Sequence, residues 1–437
     1  MSVQTIGLLG MAALIVLIFL RVPVAMAMGL VGFFGYAFVN GFANATTILG
    51  QVPFDMAGNY TLVQIPLFII MGDLAMHSGM SAKLFAAARA VFIGVRGAQV
   101  FATIGACAAF GSVSGSSVAT AATMTRIAMP EMRRAGYDDR LSTGSIASGG
   151  SLGILIPPSI PLVIYAIIAE QSVPKLYAAA IIPGFILTAF YMLSVIPVML
   201  WRPSWVPVEH DRMSWPARLK AVAEAWQILV LLILVLGGMY AGWFTATEAA
   251  AVGAFAAWAM GVISGGLGWK GTVESFSDTI KTTCMLFTIV FSAVVLTYFV
   301  VLTQIPVVLV SWIKEWNIGP SMLMFLMMVF YVILGCFLEA FGMLLITVPV
   351  FLPVVVQSGF DPVWFGVMLV IVIELGLIHP PVGMNIFVMQ AQLPEVPITQ
   401  LYQGILPFLP APMILLVLLI WFPELAMWLA NILVPPR

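Results

Sequence analysis

Long apolar runs alternate with short polar breaks along the chain, and their lengths predict its elements. A helix needs about 20 apolar residues to cross the hydrocarbon of a bilayer. Runs of that kind lie at 5–20, 22–40, 60–77, 176–200, 225–243, 246–265, 283–303 and 403–422. Two more, 142–170 and 363–392, are interrupted midway by Pro-Pro and Gly, which predicts broken helices. Two others, 98–129 and 321–353, are apolar with Gly and polar residues at their middles, the pattern of a re-entrant hairpin. The stretches 80–96 and 306–318 are amphipathic and are expected along the interface. No Lys or Arg precedes the run Ile6–Leu20, and Arg21 follows it, so it is expected to be a retained helix and not a cleaved leader.

The pattern repeats. A shift of 223 residues carries Pro130 onto Pro353, Gly136 onto Gly359, Asp138 onto Asp361 and Leu152-Gly153 onto Leu375-Gly376. It also carries Pro157-Pro158 onto Pro380-Pro381 and Val173-Pro174 onto Val396-Pro397. These matches concentrate in Gly, Pro and Asp, residues that fix backbone shape. The expected fold is an all-α polytopic membrane protein of two repeats, each with one hairpin and one broken helix. Residues 1–210 form the first repeat, 211–224 a cytoplasmic linker and 225–437 the second. Trp201, Trp205 and Trp215 around that linker suit an interfacial belt.

Five crossings per half, an odd number, invert one repeat relative to the other. With the N-terminus outside, one side receives Arg21, Lys83, Arg89, Arg96, Arg126, Arg133, Arg134, Arg140, Arg202, Arg212, Arg218, Lys220, Lys270 and Lys281. The other receives Lys175, Lys314 and Arg437. That bias makes the first side cytoplasmic and both termini periplasmic.

Composition narrows the function. The chain is 62% hydrophobic and 8% charged with a net charge of -1, against about a quarter charged in soluble domains. This excludes a soluble enzyme, a disordered chain and a nucleic-acid binder. Cys107, Cys284 and Cys336 are too few and too scattered for a disulfide framework. There is no HExxH and no P-loop, so neither a zinc protease nor ATP hydrolysis is expected on this chain. The 27 methionines and 29 phenylalanines read as core and lipid-facing filler.

Inverted repeats with broken helices place a binding site near the midplane, where freed backbone must be satisfied by ions, substrate or water. Four segments qualify. Phe110–Val118 holds two glycines and four serines; carbonyls opened there suit a cation and a serine-started helix suits an anion, while close helix packing is the other use of such a cluster. Ser148–Pro161 must break at Pro157-Pro158, as an ion site or as a kink. Leu334–Met343 carries Glu339, a carboxylate at membrane depth that is either functional or at a watery mouth. Glu374–Asn385 pairs with the second segment and carries His379, as proton shuttle or carbonyl cap, and Asn385, which both donates and accepts. Asp73 and Glu248 are further apolar-flanked acids, each a ligand or a structural pair or cap.

These strings resemble a known family. The segment GSVSGSSVATAATMTRIAMPEMRRAGYDDRLSTGSIASGGSLGILIPPSIPLVIYA resembles the first hairpin and broken helix of the large membrane subunit of TRAP (tripartite ATP-independent periplasmic) transporters, the DctM type. FLEAFGMLLITVPVFLPVV and GLIHPPVGMNIFV resemble its second pair, and WFTATEAAAVGAF the start of its second repeat. The resemblance runs from about residue 5 to the C-terminus. It implies a sodium-coupled importer of organic acids in a bacterial inner membrane, moving by an elevator mechanism, with no organic cofactor and no enzymatic activity. It also implies a small four-helix membrane subunit of the DctQ type, expected as a separate chain, and a periplasmic binding protein of the DctP type. Sodium sites would fall around Ser112–Ser117 with Gly150–Ile156 and around Gly335–Gly342 with Gly376–Gly383. The candidate sodium ligands are Ser112, Ser114, Gly115, Gly150, Gly153, Ile156, Gly335, Gly342, Gly376, His379 and Gly383. The candidate substrate contacts are Ser116, Ser117, Thr120, Pro158, Glu339 and Asn385. The family pattern leads one to expect Asp where Glu339 stands. A stand-alone ion-coupled carboxylate carrier is the alternative within transport. An intramembrane enzyme using Ser114, Ser116 or Ser117 with His379 is the alternative outside it.

Overall fold

A computed structural model describes residues 2–207 and 213–435 of the chain, and every described element is a helix or a turn. Arg212 and Arg437, and part of the boundary between the repeats, lie outside the described residues. Six helices are long and apolar enough to cross a membrane singly, Trp269–Leu302 being the longest. At 1.5 Å per residue its 34 residues reach about 50 Å, more than the hydrocarbon thickness. Shorter apolar helices such as Val3–Phe19 and Val24–Asn40 accompany them.

The 223-residue shift holds at the level of elements. It carries Ser117–Arg134 onto Ala340–Gln357, and Asp139–Ser151 onto the start of Pro362–Ile378. It brings Ala98–Ser114 within two residues of Pro320–Gly335 at both ends. The sequence matches have visible roles. Gly136 and Gly359 take φ of 82° and 89°, which ends the hairpin's second arm in a left-handed turn. Asp138 and Asp361 then cap the next helix, accepting from Arg140 N at 2.8 Å and Val363 N at 2.7 Å. Pro157-Pro158 and Pro380-Pro381 break the helices that follow, and both bonds are cis.

The two broken helices run antiparallel to each other. Tyr165 Oη, late in the first, donates to Pro362 O at the start of the second at 2.5 Å. Ser151 meets Glu374 midway. Arg133, just before the first, reaches Glu395, just after the second, at 2.9 Å. The repeats are therefore inverted. One end of the molecule gathers the Arg89–Glu131 and Arg133–Glu395 contacts, and Arg218 donates to Ile93 O there.

Packing is polar inside as well as apolar. Ser142, Ser145, Ser148 and Ser151 are fully buried, and each hydroxyl bonds a carbonyl one turn back, which removes the cost of burying it. Large apolar side chains such as Phe38, Phe54 and Ile263 face outward, as a lipid-facing surface requires. The Trp269–Leu302 helix packs on Val24–Asn40, on Gln64–His77 and on Ala340–Gln357, so it lines one side of the hairpin units. Two elements go beyond the expected spans. Phe42–Ala57 is helical, although Asn44, Gln51, Pro53 and Asp55 dilute its apolar run. Trp269–Leu302 begins 14 residues before the apolar run at 283.

Candidate functional site: twin hairpin tips around one cavity

Each hairpin turns over a few residues that stop one helix and start the next. Gly115, at φ 60°, ends Ala98–Ser114, and Ser116 caps Ser117–Arg134 by accepting from Ala119 N at 3.3 Å. In the second hairpin Glu339 holds the equivalent cap position, but its side chain makes no capping bond. Among the described residues the carbonyls of Ser112–Gly115 accept no backbone N–H, and neither do those of Gly335–Leu338, the same four positions after the shift. Each tip thus joins the carbonyl-rich end of one helix to the N–H-rich end of another. The first suits a cation and the second an anion.

The broken helices add further carbonyls. Those of Leu155 and Ile156 in the first, and of Leu377, Ile378 and His379 in the second, accept no backbone N–H among the described residues. Glycine brings tip and break together. A Cβ on Gly111 would lie 2.5 Å from Gly153 Cα, and one on Gly376 would lie 2.7 Å from Gly335 Cα. Backbone meets backbone at both places, an approach only glycine permits.

A cavity of about 390 Å³ lies where these parts converge. Ser116 and Ser117 line it from the first tip, Glu339 from the second, Ile154 and Leu377 from the breaks, and Thr282 from the long Trp269–Leu302 helix. Asn385, fully buried, donates from Nδ2 to Ser117 Oγ at 2.6 Å and ties the second broken helix to the first tip. Its Oδ1 has no partner among the described residues. The Glu339 carboxylate makes no capping bond, while its backbone carbonyl accepts from Met343 N at 3.0 Å, so the carboxylate is available to a ligand at the cavity.

The remaining candidates do not line this cavity. Thr120 does not line it; its hydroxyl lies 2.7 Å from Ser116 O and 2.8 Å from Ser114 Oγ and holds the turn. Ser112 bonds Ala109 O at 2.8 Å, one turn back. Gly150 packs on Ala121, Ile156 on Gly184, and Gly342 on Val24 of a neighbouring helix, each place too tight for another methyl to enter freely. Pro158 is buried inside the break. Gly383, at φ 64°, starts Met384–Gln392. His379 ends its helix with Nδ1 2.5 Å from Pro380 O, in the place of a carbonyl cap. Glu248 forms a capping box with Thr245, and Asp73 accepts from Thr279 at 2.8 Å, between two helices beside the first tip. Thr282, Met285 and Phe341 line the cavity without having stood out in the sequence, because only tertiary packing brings them there.

Residues 11–425 match the family described as the tripartite ATP-independent periplasmic transporter, DctM component. The chain belongs to that family. The C4-dicarboxylate TRAP transporter large permease protein DctM of Pseudomonas aeruginosa is 34% identical to this DctM-family chain over 379 residues, 86% of this chain and 88% of that protein. The sialic acid TRAP transporter large permease protein SiaM of Vibrio cholerae is 30% identical over 375 residues, 86% and 87% of the two chains. Among solved structures, that of the Alcanivorax borkumensis YdaH transporter superposes with a TM-score of 0.66 at 17% identity, covering 89% of this chain and 90% of that one. At that identity the likeness is one of fold. The DctM-family chain is a transporter permease of the organic-acid class in a multi-span membrane setting.

Proposed function

We propose that this DctM-family chain imports an organic acid across a bacterial inner membrane by sodium symport, and that both tip-and-break units hold the coupling ions. The observation that carries the proposal is the pair of four-carbonyl stretches, Ser112–Gly115 and Gly335–Leu338, each pressed against a break by a glycine contact. Oxygen-only donor sets of this kind suit a hard monovalent cation. The substrate carboxylate belongs between the N-termini of Ser117–Arg134 and Ala340–Gln357, which face the same cavity. Glu339 is better suited to the cation than to an anionic substrate, which it would repel. Asn385 and Ser117 supply neutral donors and acceptors to the substrate.

The two hairpins, the two broken helices and Val173–Leu193 form the moving unit in this reading. The Trp269–Leu302 helix and its neighbours form the fixed scaffold, and the unit slides along it as an elevator. The division into repeats at 1–210 and 225–437 follows the same symmetry. A small membrane subunit and a periplasmic binding protein complete the system, as the family's tripartite name implies. No covalent chemistry is needed.

The test is uptake of a radiolabelled carboxylate panel into proteoliposomes holding the chain and its small partner, with the matching binding protein outside. Sodium and proton gradients are compared. Uptake that needs both the sodium gradient and the binding protein supports the proposal. Uptake without the binding protein assigns the chain to the stand-alone carriers, and uptake driven by protons alone overturns sodium coupling.

A further inference from the structure

A second cavity, of about 770 Å³, lies away from the hairpin tips, at the arginine-rich end of the molecule. Its walls are of two kinds. Leu193 from Val173–Leu193, Ile414 from Pro410–Trp421 and Leu406 just before that helix give an apolar groove, and all three are about half exposed. At one end the groove meets Arg202 and Trp205, where the chain leaves the Val195–Trp201 helix. Trp205 is buried and anchored, its carbonyl accepting from Asp138 N at 3.2 Å. Two guanidinium groups lie over its ring, Arg140 Cζ at 5.5 Å from the ring centre and Arg202 Cζ at 5.8 Å, so the two are no more than about 11 Å apart. Gly404, on Ile398–Ile405, packs directly on the Arg140 carbonyl, which holds the Arg140 helix against the groove.

Neither charge is balanced. Among the described residues Arg140 and Arg202 make no ion pair, and Arg140 Nε is buried without a hydrogen-bond partner. The carboxylates near Arg140 are engaged elsewhere. Asp138 accepts from the Arg140 backbone N–H at 2.8 Å, Asp139 and Glu395 are held by Arg133, and Glu131 by Arg89 and Arg134. Stacking on an indole leaves the N–H edges of a guanidinium free for an anion. Trp201, beside the pair and 80% exposed, marks the depth at which aromatic rings meet lipid head groups.

We propose that this cavity binds an anionic phospholipid, its phosphate held by Arg140 and Arg202 and one acyl chain lying along Leu193, Leu406 and Ile414. The guanidinium fork matches a phosphate with two parallel N–H bonds, and basic pockets between helices at the membrane surface take such head groups. A free anion would satisfy the arginines and leave the groove bare. A zwitterionic lipid would fill the groove but bring its own cation toward the arginines.

The experiment is native mass spectrometry of the purified membrane complex titrated with phosphatidylglycerol, with phosphatidylcholine of the same chains, and with glycerol phosphate, which has no chains. Phosphatidylglycerol should bind about tenfold or more tightly than phosphatidylcholine, and glycerol phosphate should not displace it. Arg202→Gln should weaken phosphatidylglycerol binding by about fivefold, and Arg140→Gln with Arg202→Gln by about thirtyfold, a factor of about five for each cation near the membrane surface. Arg202 is exposed, so its variant keeps the proposal testable if the double variant does not fold. Lys220→Gln with Lys270→Gln removes the same charge from exposed positions elsewhere and should stay within about twofold. Equal affinity for the two lipids overturns the proposal, as does an arginine variant that binds phosphatidylglycerol as tightly as the lysine control. Displacement by glycerol phosphate at equal concentration would make this a free-anion site and also overturn it. So would a cross-link from Leu406→Cys to the small subunit, which would give the groove to that partner. None of these readings depends on which ion or substrate is carried.

Discussion

The glycine contacts give the sharpest prediction, because alanine scanning should rank them by distance alone. A methyl group at position 111 would meet Gly153 Cα at 2.5 Å, and one at 376 would meet Gly335 Cα at 2.7 Å. One at 335 would meet Gly376 Cα at 3.0 Å, and one at 153 would meet Thr120 Oγ1 at 3.0 Å. Ordinary contact begins at 3.4 Å, so the first two need backbone to move by about 0.7 to 0.9 Å, while the last two ask about 0.4 Å of the Gly376 backbone and of the Thr120 side chain. Overpacking of the first kind costs about 1–3 kcal/mol. Replacing a helical glycine with alanine returns up to about 1 kcal/mol, which offsets the milder pair but not the severe one. The moved backbone is the one carrying the freed carbonyls, so the loss should appear in sodium affinity. Gly111→Ala and Gly376→Ala should weaken the apparent sodium affinity of uptake by about tenfold and lower the thermal midpoint, at roughly 1.4 kcal/mol per decade. Gly335→Ala and Gly153→Ala should stay within about threefold. Gly268→Ala and Gly319→Ala, where nothing lies within 4 Å, are the controls. The reasoning is refuted if Gly376→Ala keeps the same sodium dependence as Gly319→Ala.

Three further outcomes follow from the site and its surroundings. Glu339→Ala should cut uptake by about ten- to a hundredfold, the worth of a bond to a charged group, with the complex still assembled on gel filtration; full activity would remove Glu339 from the site. Ser117→Ala leaves the Asn385 amide buried and unpaired, so unfolding should become about 1–3 kcal/mol easier and the KM for substrate should rise, with Ser117→Thr restoring part of both. At the loop end, the Glu395 carboxyl is held below the ordinary glutamate range, first by its own backbone N–H and then by Arg133. A carboxyl lowered in this way stabilises the fold above the unfolded value and loses that contribution as pH falls through the folded one. Arg133→Ala should therefore lower the neutral and alkaline plateau of a thermal stability profile and flatten its acid side, the two proteins converging at low pH.

Much of the site was legible in the sequence, because glycine and proline act through the backbone of their own segment. Pro157-Pro158 and Pro380-Pro381 fix breaks wherever they stand, and Gly136 with Asp138 writes a helix stop and a helix start within three residues. The hairpin tips were readable for the same reason. What local pattern could not supply was the partner across space. Thr282 and Met285 stand at the start of the apolar run 283–303, where nothing in the local pattern says which face meets the cavity, and only packing turns them toward it. Thr120 reads as a ligand by composition, yet its hydroxyl is spent on the turn that shapes the tip. The Ser151–Glu374 contact has a signal in the repeat: two residues equivalent by the 223-residue shift, one of them acidic, lie beside the breaks where an inverted pair must cross.

The central claim is that the twin tips carry sodium together with the substrate. Simultaneous uptake of radioactive sodium and a labelled carboxylate into the same proteoliposomes tests it most directly. The account predicts that sodium enters with the carboxylate in a fixed ratio, and that Gly376→Ala lowers both together. Carboxylate entry without sodium, or sodium entry that Gly376→Ala leaves untouched, would contradict it.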